Sequence, residues 1–341
     1  MTKDKNLPLD FATKTVTPSY PLTSLPHRPL TILNHEITPG ASVQLSMDVA
    51  KLPTRTHVEV PVFVNRAKRE GPILLLLAGL HGDEINGIEI LRRIIREGYH
   101  RPQRGTIICI PIMNIFGFIN QSREVPDGRD LNRVFPGSPT GSLASRIAYT
   151  LLNEVVRHID YALDFHTGGA SRSNYPQVRS VLEDEQSLEL AQVFSPPFIL
   201  ASKYLDKSLR KTAHAIGKSI LLYEGGESLR LDEFAVREGL QGALRVLYHL
   251  GMLKEEVPHD HSPLIIKKST WIRAKTSGMF LATVSNGAHV QKGATLGTVM
   301  DPYGEFERKV RAPAEGYVIC INNHPLVNQG EALIHLGLSS S

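Results

Sequence analysis

Ile73-Leu-Leu-Leu-Leu-Ala-Gly79-Leu-His81-Gly-Asp-Glu84 is the stretch that decides how this chain folds. Its first six residues are an unbroken apolar run, too short to span a bilayer and of the length of a strand buried on both faces. Gly79 ends the run and delivers His81 and Glu84, three residues apart, to the point where an amphipathic helix begins. In open α/β sheets the crevice beyond the carboxyl ends of the strands is where ligands bind. An imidazole and a carboxylate placed there are two of the three protein ligands of a hydrolytic zinc site. A His-x-x-Glu pair also fits an ordinary surface turn, so the meaning of this one depends on what the rest of the chain brings beside it.

Upstream, short β-like segments from Leu30 to Asn65 are punctuated by Pro39-Gly40 and Pro53, and Val58, Val60, Val62 and Val64 alternate as in a half-buried strand. Downstream, Ile88, Leu91, Ile94 and Ile95 share a helical face, and Gly98 is placed to stop that helix. A second buried strand is expected over Thr106 to Ile112, ending near Asn114. Phe116 to Ser138 is expected to be a long loop, and it holds Arg123, Asp127, Arg129, Asp130, Asn132 and Arg133. Loops of that length in compact domains are usually functional or disordered, and these charged residues favour function. Ser142 can cap a helix carrying Leu143, Ile147, Leu151, Val155 and Ile159. Tyr161 to Phe165 is a third strand ending at His166, after which Gly168-Gly169 opens another loop. Weaker helical patterns, near Leu188 to Val193 and Leu209 to Ala215, precede a fourth strand, Ser219 to Tyr223, ending at Glu224. A last helix, about Glu233 to Leu250, turns Val236, Leu240, Leu244 and Leu247 inward. Three of the four apolar strands therefore end on a residue that can bind or work with zinc: His81, His166 and Glu224.

Composition narrows the class. The 341 residues are 41% hydrophobic and 21% charged, as in ordinary globular proteins. A formal charge of +4 with no basic tract gives no reason to expect nucleic acid or a membrane surface as partner. Cys109 and Cys320 both sit in apolar runs and read as buried free thiols. Residues 1–26 are polar and proline-rich, with no apolar signal-peptide segment, so a cytoplasmic protein is expected. The remaining histidines, among them His57, His158, His249, His259 and His261, read as surface or helix-end residues. Arg172, Lys203, Arg210 and Lys211 fit either a solvated face or a basic rim for an acidic substrate.

From about Pro263 the texture changes to short strands and turns, and a unit recurs. Gly278-Met-Phe-Leu-Ala-Thr-Val, then Val290-x-Lys-Gly293 and Leu296, returns as Gly316-Tyr-Val-Ile-Cys-Ile, then Val327-x-Gln-Gly330 and Leu333. Neither unit could bury its apolar face alone, so the two are expected to interlock as a small β-sandwich or barrel.

Taken in order, His81-Gly-Asp-Glu84, Asp130-Leu-Asn-Arg133, Asp164-Phe-His166-Thr-Gly and Glu224-Gly-Gly resemble the succinylglutamate desuccinylase/aspartoacylase family, relatives of the zinc carboxypeptidases. The resemblance covers roughly residues 30–253. It implies an α/β fold, a zinc-carboxypeptidase-like mixed sheet flanked by helices, followed by the small all-β domain that many bacterial members carry. The expected division is a lead-in over 1–26, a zinc hydrolase domain over 27–255 and a β domain over 262–338. That last domain is also similar to lipoyl and biotinyl domains, but the hairpin Val299-Met-Asp-Pro-Tyr-Gly-Glu305 lacks the carrier lysine.

The resemblance further implies one Zn2+ per chain, held by His81, Glu84 and His166, with Asp130 orienting His81. Asn132 and Arg133 match the pair that grips a substrate carboxylate, a task suited to a planar guanidinium. Arg123 lies near the position of an arginine that steadies the oxyanion, and Arg129 competes for that place and for substrate contact. Glu224 matches the general base. Where aspartoacylase has an arginine that selects an acidic substrate, this chain has His214, with Arg210 one turn earlier, so strict aspartate specificity is not implied. The expected function is hydrolysis of the amide of an N-acyl amino acid or related small amide by metal-activated water. The alternatives are a carboxypeptidase-like peptidase on peptides or oligo-glutamyl tails, and a non-catalytic binder on a hydrolase scaffold. The expected partner is a small acylated amino acid or short peptide, with homo-oligomerisation open.

Overall fold

The computed structural model describes residues 28–259 and 262–339. The polar lead-in over 1–26 and His261 lie outside the described residues. Among the described residues, no helix is long and apolar enough to cross a membrane.

The apolar run forms the strand Ile73–Ala78, buried at every position. Its side chains alternate between two cores. Leu75 and Leu77 pack with Ile108, Ile110 and the helix Leu143–Glu154, while Leu74 and Leu76 face Ile107, Cys109 and residues of the helices Ile85–Arg96, Glu185–Phe194 and Glu233–His249. Helices on both faces explain why this strand shows no polar alternation. Each fully buried leucine contributes about 1.5–3 kcal/mol, so the strand is a strong organiser.

Ile73–Ala78 runs parallel to Thr106–Ile110 on one side and to Tyr161–Gly168 on the other. Ser219–Glu227 continues the parallel set. Antiparallel strands then extend both flanks. His57–Arg66 and Ser42–Lys51 do so beyond Thr106–Ile110, and Arg172–Ser180 does so beyond Ser219–Glu227. The sheet is thus mixed, as expected.

It also runs further than the α/β part. Gly316–Asn322 pairs with Arg172–Ser180, Cys320 lying opposite Asn174, and Ala332–Leu338 and Ser269–Arg273 follow. A second sheet of four strands is ordered Glu307–Arg311, Thr295–Met300, Gly278–Ala282, Leu326–Val327. Phe280, Leu296 and Val299 from this sheet meet Val318, Ile321 and Leu336 from the long sheet in a core of their own. The repeated units therefore interlock across two layers. In the hairpin after Met300, Asp301 accepts from the backbone N–H groups of Tyr303, Glu305 and Phe306.

Local structure departs from expectation in three places. The segment Phe116 to Ser138 is not all loop. Asn114 caps a short helix, Ile115–Asn120, by accepting from Gly117 N, and Asp130 caps a single 3-10 turn, Leu131–Arg133. Six residues containing a glycine are too few to show a helical period. Arg172–Ser180 and Phe198–Ala201 are strands that periodicity did not reveal. Pro176 interrupts the first, and the pairing with Ser219–Glu227 shifts register there. The strands that end the chemistry-bearing runs also continue further, to Gly168 and Glu227.

Candidate metal centre and its cavity

The turn after Ile73–Ala78 is built by two glycines. Gly79 takes a φ of +61°, and at Gly82 a Cβ would lie 1.9 Å from the carbonyl carbon of Gly117. The chain can therefore fold tightly enough to place His81 and Glu84 beneath the helix that starts at Ile85. Asn86, buried in that helix, donates to Gly225 O at 3.2 Å and accepts from Asp232 N at 3.0 Å. This ties the His81–Glu84 turn to the turn after Glu224.

His81, Glu84 and His166 converge, all buried, with one ligand atom from each lying within 4.8 Å of the others. Glu84 Oε1 is 2.9 Å from His81 Nδ1, and Oε2 is 2.8 Å from His166 Nδ1. The two Nδ1 atoms are 3.1 Å apart. Thr167 N donates to Glu84 Oε2 at 3.1 Å. Each imidazole turns its other nitrogen to a carboxylate: His81 Nε2 to Asp130 Oδ1 and His166 Nε2 to Asp164 Oδ2, both at 3.0 Å.

Burial is the largest influence on every group here and opposes charge, yet the pairings outweigh it. The pKa of His81 rises through Glu84 and Asp130, that of His166 rises well above its ordinary value through Asp164 and Glu84, and the carboxyl of Glu84 falls well below the usual range. The cluster demands positive charge at its centre. With protons on both Nε2 atoms, the inward face consists of two imidazole lone pairs and a carboxylate, all acceptors. That is the donor set of a zinc site, and the outer carboxylates fix the rings as such sites require. The residues fit the metal.

Around the cluster lies a cavity of about 360 Å³, lined by Arg123, Asn132, Arg133, Arg179, Arg210 and Glu224 among others. Arg123 Nη1 donates to Glu84 Oε1 at 2.9 Å, while its Nε and Nη2 both donate to Asp130 Oδ2. Asn132 Oδ1 accepts from Leu209 N at 2.9 Å, and Arg133 Nη1 donates to Asn132 O at 2.8 Å. Glu224 is the Cα partner of His166 on the neighbouring parallel strand. Arg129 is exposed and is not among the lining residues. His214 also lies away from the cavity, stacked on Tyr204 and 3.3 Å from Asp184.

Sequence reasoning assigned no role to Arg179 or Asn174, both of which reach Glu224, because their strand was not seen. It named Asp164 within a motif without giving it a task; position i−2 from a strand-end histidine was the available signal, since that spacing shares a face. Arg210 lines the cavity and is not part of a solvated face. It is buried, donates to Arg179 O and Lys203 O, and lies over the Tyr204 ring. Trp271 and Cys320, from the C-terminal β region, complete the wall.

The family profile described as the Succinylglutamate desuccinylase/Aspartoacylase catalytic domain matches residues 70–250. An N-alpha-acetyl-L-2,4-diaminobutyric acid deacetylase from Halomonas elongata is 30% identical over 292 residues, which cover 81% of this chain and 84% of that relative. Among solved structures, the product-bound ectoine utilization protein EutE (DoeB) from Ruegeria pomeroyi aligns with a TM-score of 0.78 at 24% identity, covering 92% of this chain and 100% of that one. A succinylglutamate desuccinylase from Silicibacter sp. aligns with a TM-score of 0.79 at 22% identity, covering 93% and 100%. At these identities the structural likeness speaks for the fold.

Proposed function

Because the chain belongs to the succinylglutamate desuccinylase/aspartoacylase family, we propose that it is a zinc-dependent amidohydrolase that removes the acyl group from an N-acyl amino acid. The observation that carries this reading is the enclosure of His81, Glu84 and His166 in one cavity with Glu224 and Arg123. The cavity volume suits a small molecule rather than an extended polymer. The relative from Halomonas elongata, named a deacetylase of an acylated amino acid, supports the same substrate class.

His81, Glu84 and His166 would hold the zinc, which supplies Lewis acidity and a nucleophile at neutral pH. The chain's own groups do the rest. Glu224 takes the proton of the attacking water and hands it to the leaving nitrogen, so that the C–N bond breaks to a carboxylate and a free amine. Arg123, fixed by Asp130, offers its guanidinium where charge develops on the carbonyl oxygen, a role for which we prefer it to the exposed Arg129. Arg133 takes the substrate carboxylate, and Asn132, its carbonyl committed to Leu209, keeps its Nδ2 as a donor.

The test is a panel of N-acetyl amino acids and short peptides, assayed with zinc-loaded and chelated protein. Release of acetate that requires zinc supports the proposal. Release of amino acids from peptides would replace it with a peptidase, and no turnover at full zinc occupancy would leave a binding protein.

A further inference from the structure

Glu224 is not a free carboxylate in its cavity. Arg179 Nε stands 2.8 Å from Oε1 as an ion pair, and Arg179 Nη2 donates to Oε2 at 3.3 Å. Asn174 Nδ2 donates to the same Oε2 at 2.6 Å. Both carboxylate oxygens are therefore engaged, Oε1 by the charge of Arg179 and Oε2 by two hydrogen bonds. A guanidinium meeting both oxygens does this where a point charge cannot.

Both partners stand on one strand, Arg172–Ser180. Leu222 pairs with Arg179 and Glu224 with Gln177, so Arg179 and Glu224 project to the same side of the sheet. The position of Arg179 is secured in turn, because Arg210, itself buried, donates to its carbonyl at 2.7 Å. At the other end of the strand, Asn174 is paired with Cys320 of the C-terminal β region. The carboxylate that must face His166 and its metal is thus aimed by a strand clamped from two sides.

We propose that Arg179, seconded by Asn174, is the positioning residue for Glu224, holding its carboxylate in the orientation that proton transfer needs. This rests on the reading of Glu224 as the base. Arg179 acts through Glu224 and makes no contact with the reacting atoms. Its guanidinium is committed to Glu224, unlike that of Arg133, which among the described residues donates to a backbone carbonyl. Misplacing a catalytic group by about 1 Å costs on the order of 10²-fold in rate.

The test compares Arg179→Gln, Arg179→Lys and Glu224→Gln, singly and combined, with N-alpha-acetyl-L-2,4-diaminobutyric acid as the probe, or N-acetyl-L-aspartate should that be the better substrate. In Arg179→Gln, kcat falls by about 10²-fold while KM stays within about threefold. Arg179→Lys, which keeps the charge without the fork, regains part of the loss. In the Glu224→Gln background, adding Arg179→Gln causes no further loss of kcat, and calorimetric titration shows the same Kd for the probe. A raised KM with kcat intact, or a weakened Kd in that background, would make Arg179 a substrate ligand and overturn the proposal. Multiplying losses in the double variant would also overturn it. Full activity in Glu224→Gln alone would remove the base itself, a failure distinct from the others because it appears before Arg179 is touched.

Discussion

Asp130 holds His81 by its Nε2 at 3.0 Å, and with its second oxygen it accepts two hydrogen bonds from Arg123. One carboxylate thus sets the orientation of a proposed zinc ligand and of the arginine proposed for the oxyanion. Burial alone would raise the pKa of Asp130, but His81 and Arg123 hold it well below the carboxylate range, so it carries charge at any working pH.

Asp130→Asn should therefore weaken zinc by about 10–100-fold, the usual cost of losing an outer partner of a metal ligand. The amide can still accept from His81, but it lacks the charge that both neighbours answer. Competition for zinc against a chelating dye measures the change. Affinity equal to wild type would remove Asp130 from the site.

Removal of the metal by a chelator should abolish hydrolysis and lower the thermal midpoint, and added Zn2+ should restore both, because a ligand bound only by the folded state stabilises it. His166→Ala should not be restored, since two remaining ligands hold a tetrahedral ion poorly. Elemental analysis showing full zinc in His166→Ala would refute the ligand set.

Glu224→Gln should reduce turnover by roughly 10²–10⁴-fold, the usual worth of general acid–base catalysis, with zinc content near wild type. The amide keeps the shape and its contact with Asn174 but takes no proton. Loss of zinc in this variant would make Glu224 a ligand instead. Near-normal turnover would move the base to another carboxylate, Asp83 or Glu227.

Stability should depend on pH through His335, whose pKa is held down at about 4 by burial and by Arg179. Its ring stacks on Trp271 with centroids 4.4 Å apart. Between about 4 and the unfolded value near 6.5, the unfolded chain binds a proton that the folded chain refuses. The contribution is thus complete above about pH 6.5 and is lost as the pH falls towards 4, at most about 3 kcal/mol by linkage. Urea unfolding of wild type and His335→Gln at pH 7 and pH 4.5 isolates it. Parallel losses in the two proteins would exclude His335 as the cause.

The parts of this molecule legible in the sequence are those where one physical rule acts alone. Ile73–Ala78 is buried on both faces, so its composition by itself announces a central strand, and the helix Glu233–His249 shows its inward residues at regular spacing. The grouping of His81, Glu84 and His166 was legible because the first two lie in the turn after such a strand and the third near the end of its parallel neighbour. The partners of Glu224 were not. Arg172–Ser180 mixes arginines, an asparagine and a proline because it lines a polar cavity, and those residues erase the alternation that marks a strand. Distance along the chain hid the rest: nothing near residue 174 signals that residue 320 will lie beside it.

That last pairing bears on the order in which the enzyme can come alive during synthesis. A chain leaving the ribosome presents His81, Glu84, His166 and Glu224 long before Gly316–Asn322 emerges. Until then, the stretch around Asn174 has no neighbour on its C-terminal side and is an open strand edge, prone to pair with another chain. A product truncated before Gly316 would thus carry every proposed metal ligand and the base, yet leave the strand that aims Glu224 unfinished. In this protein a segment translated well after the proposed ligands completes the wall beside the strand that carries Arg179 and Asn174.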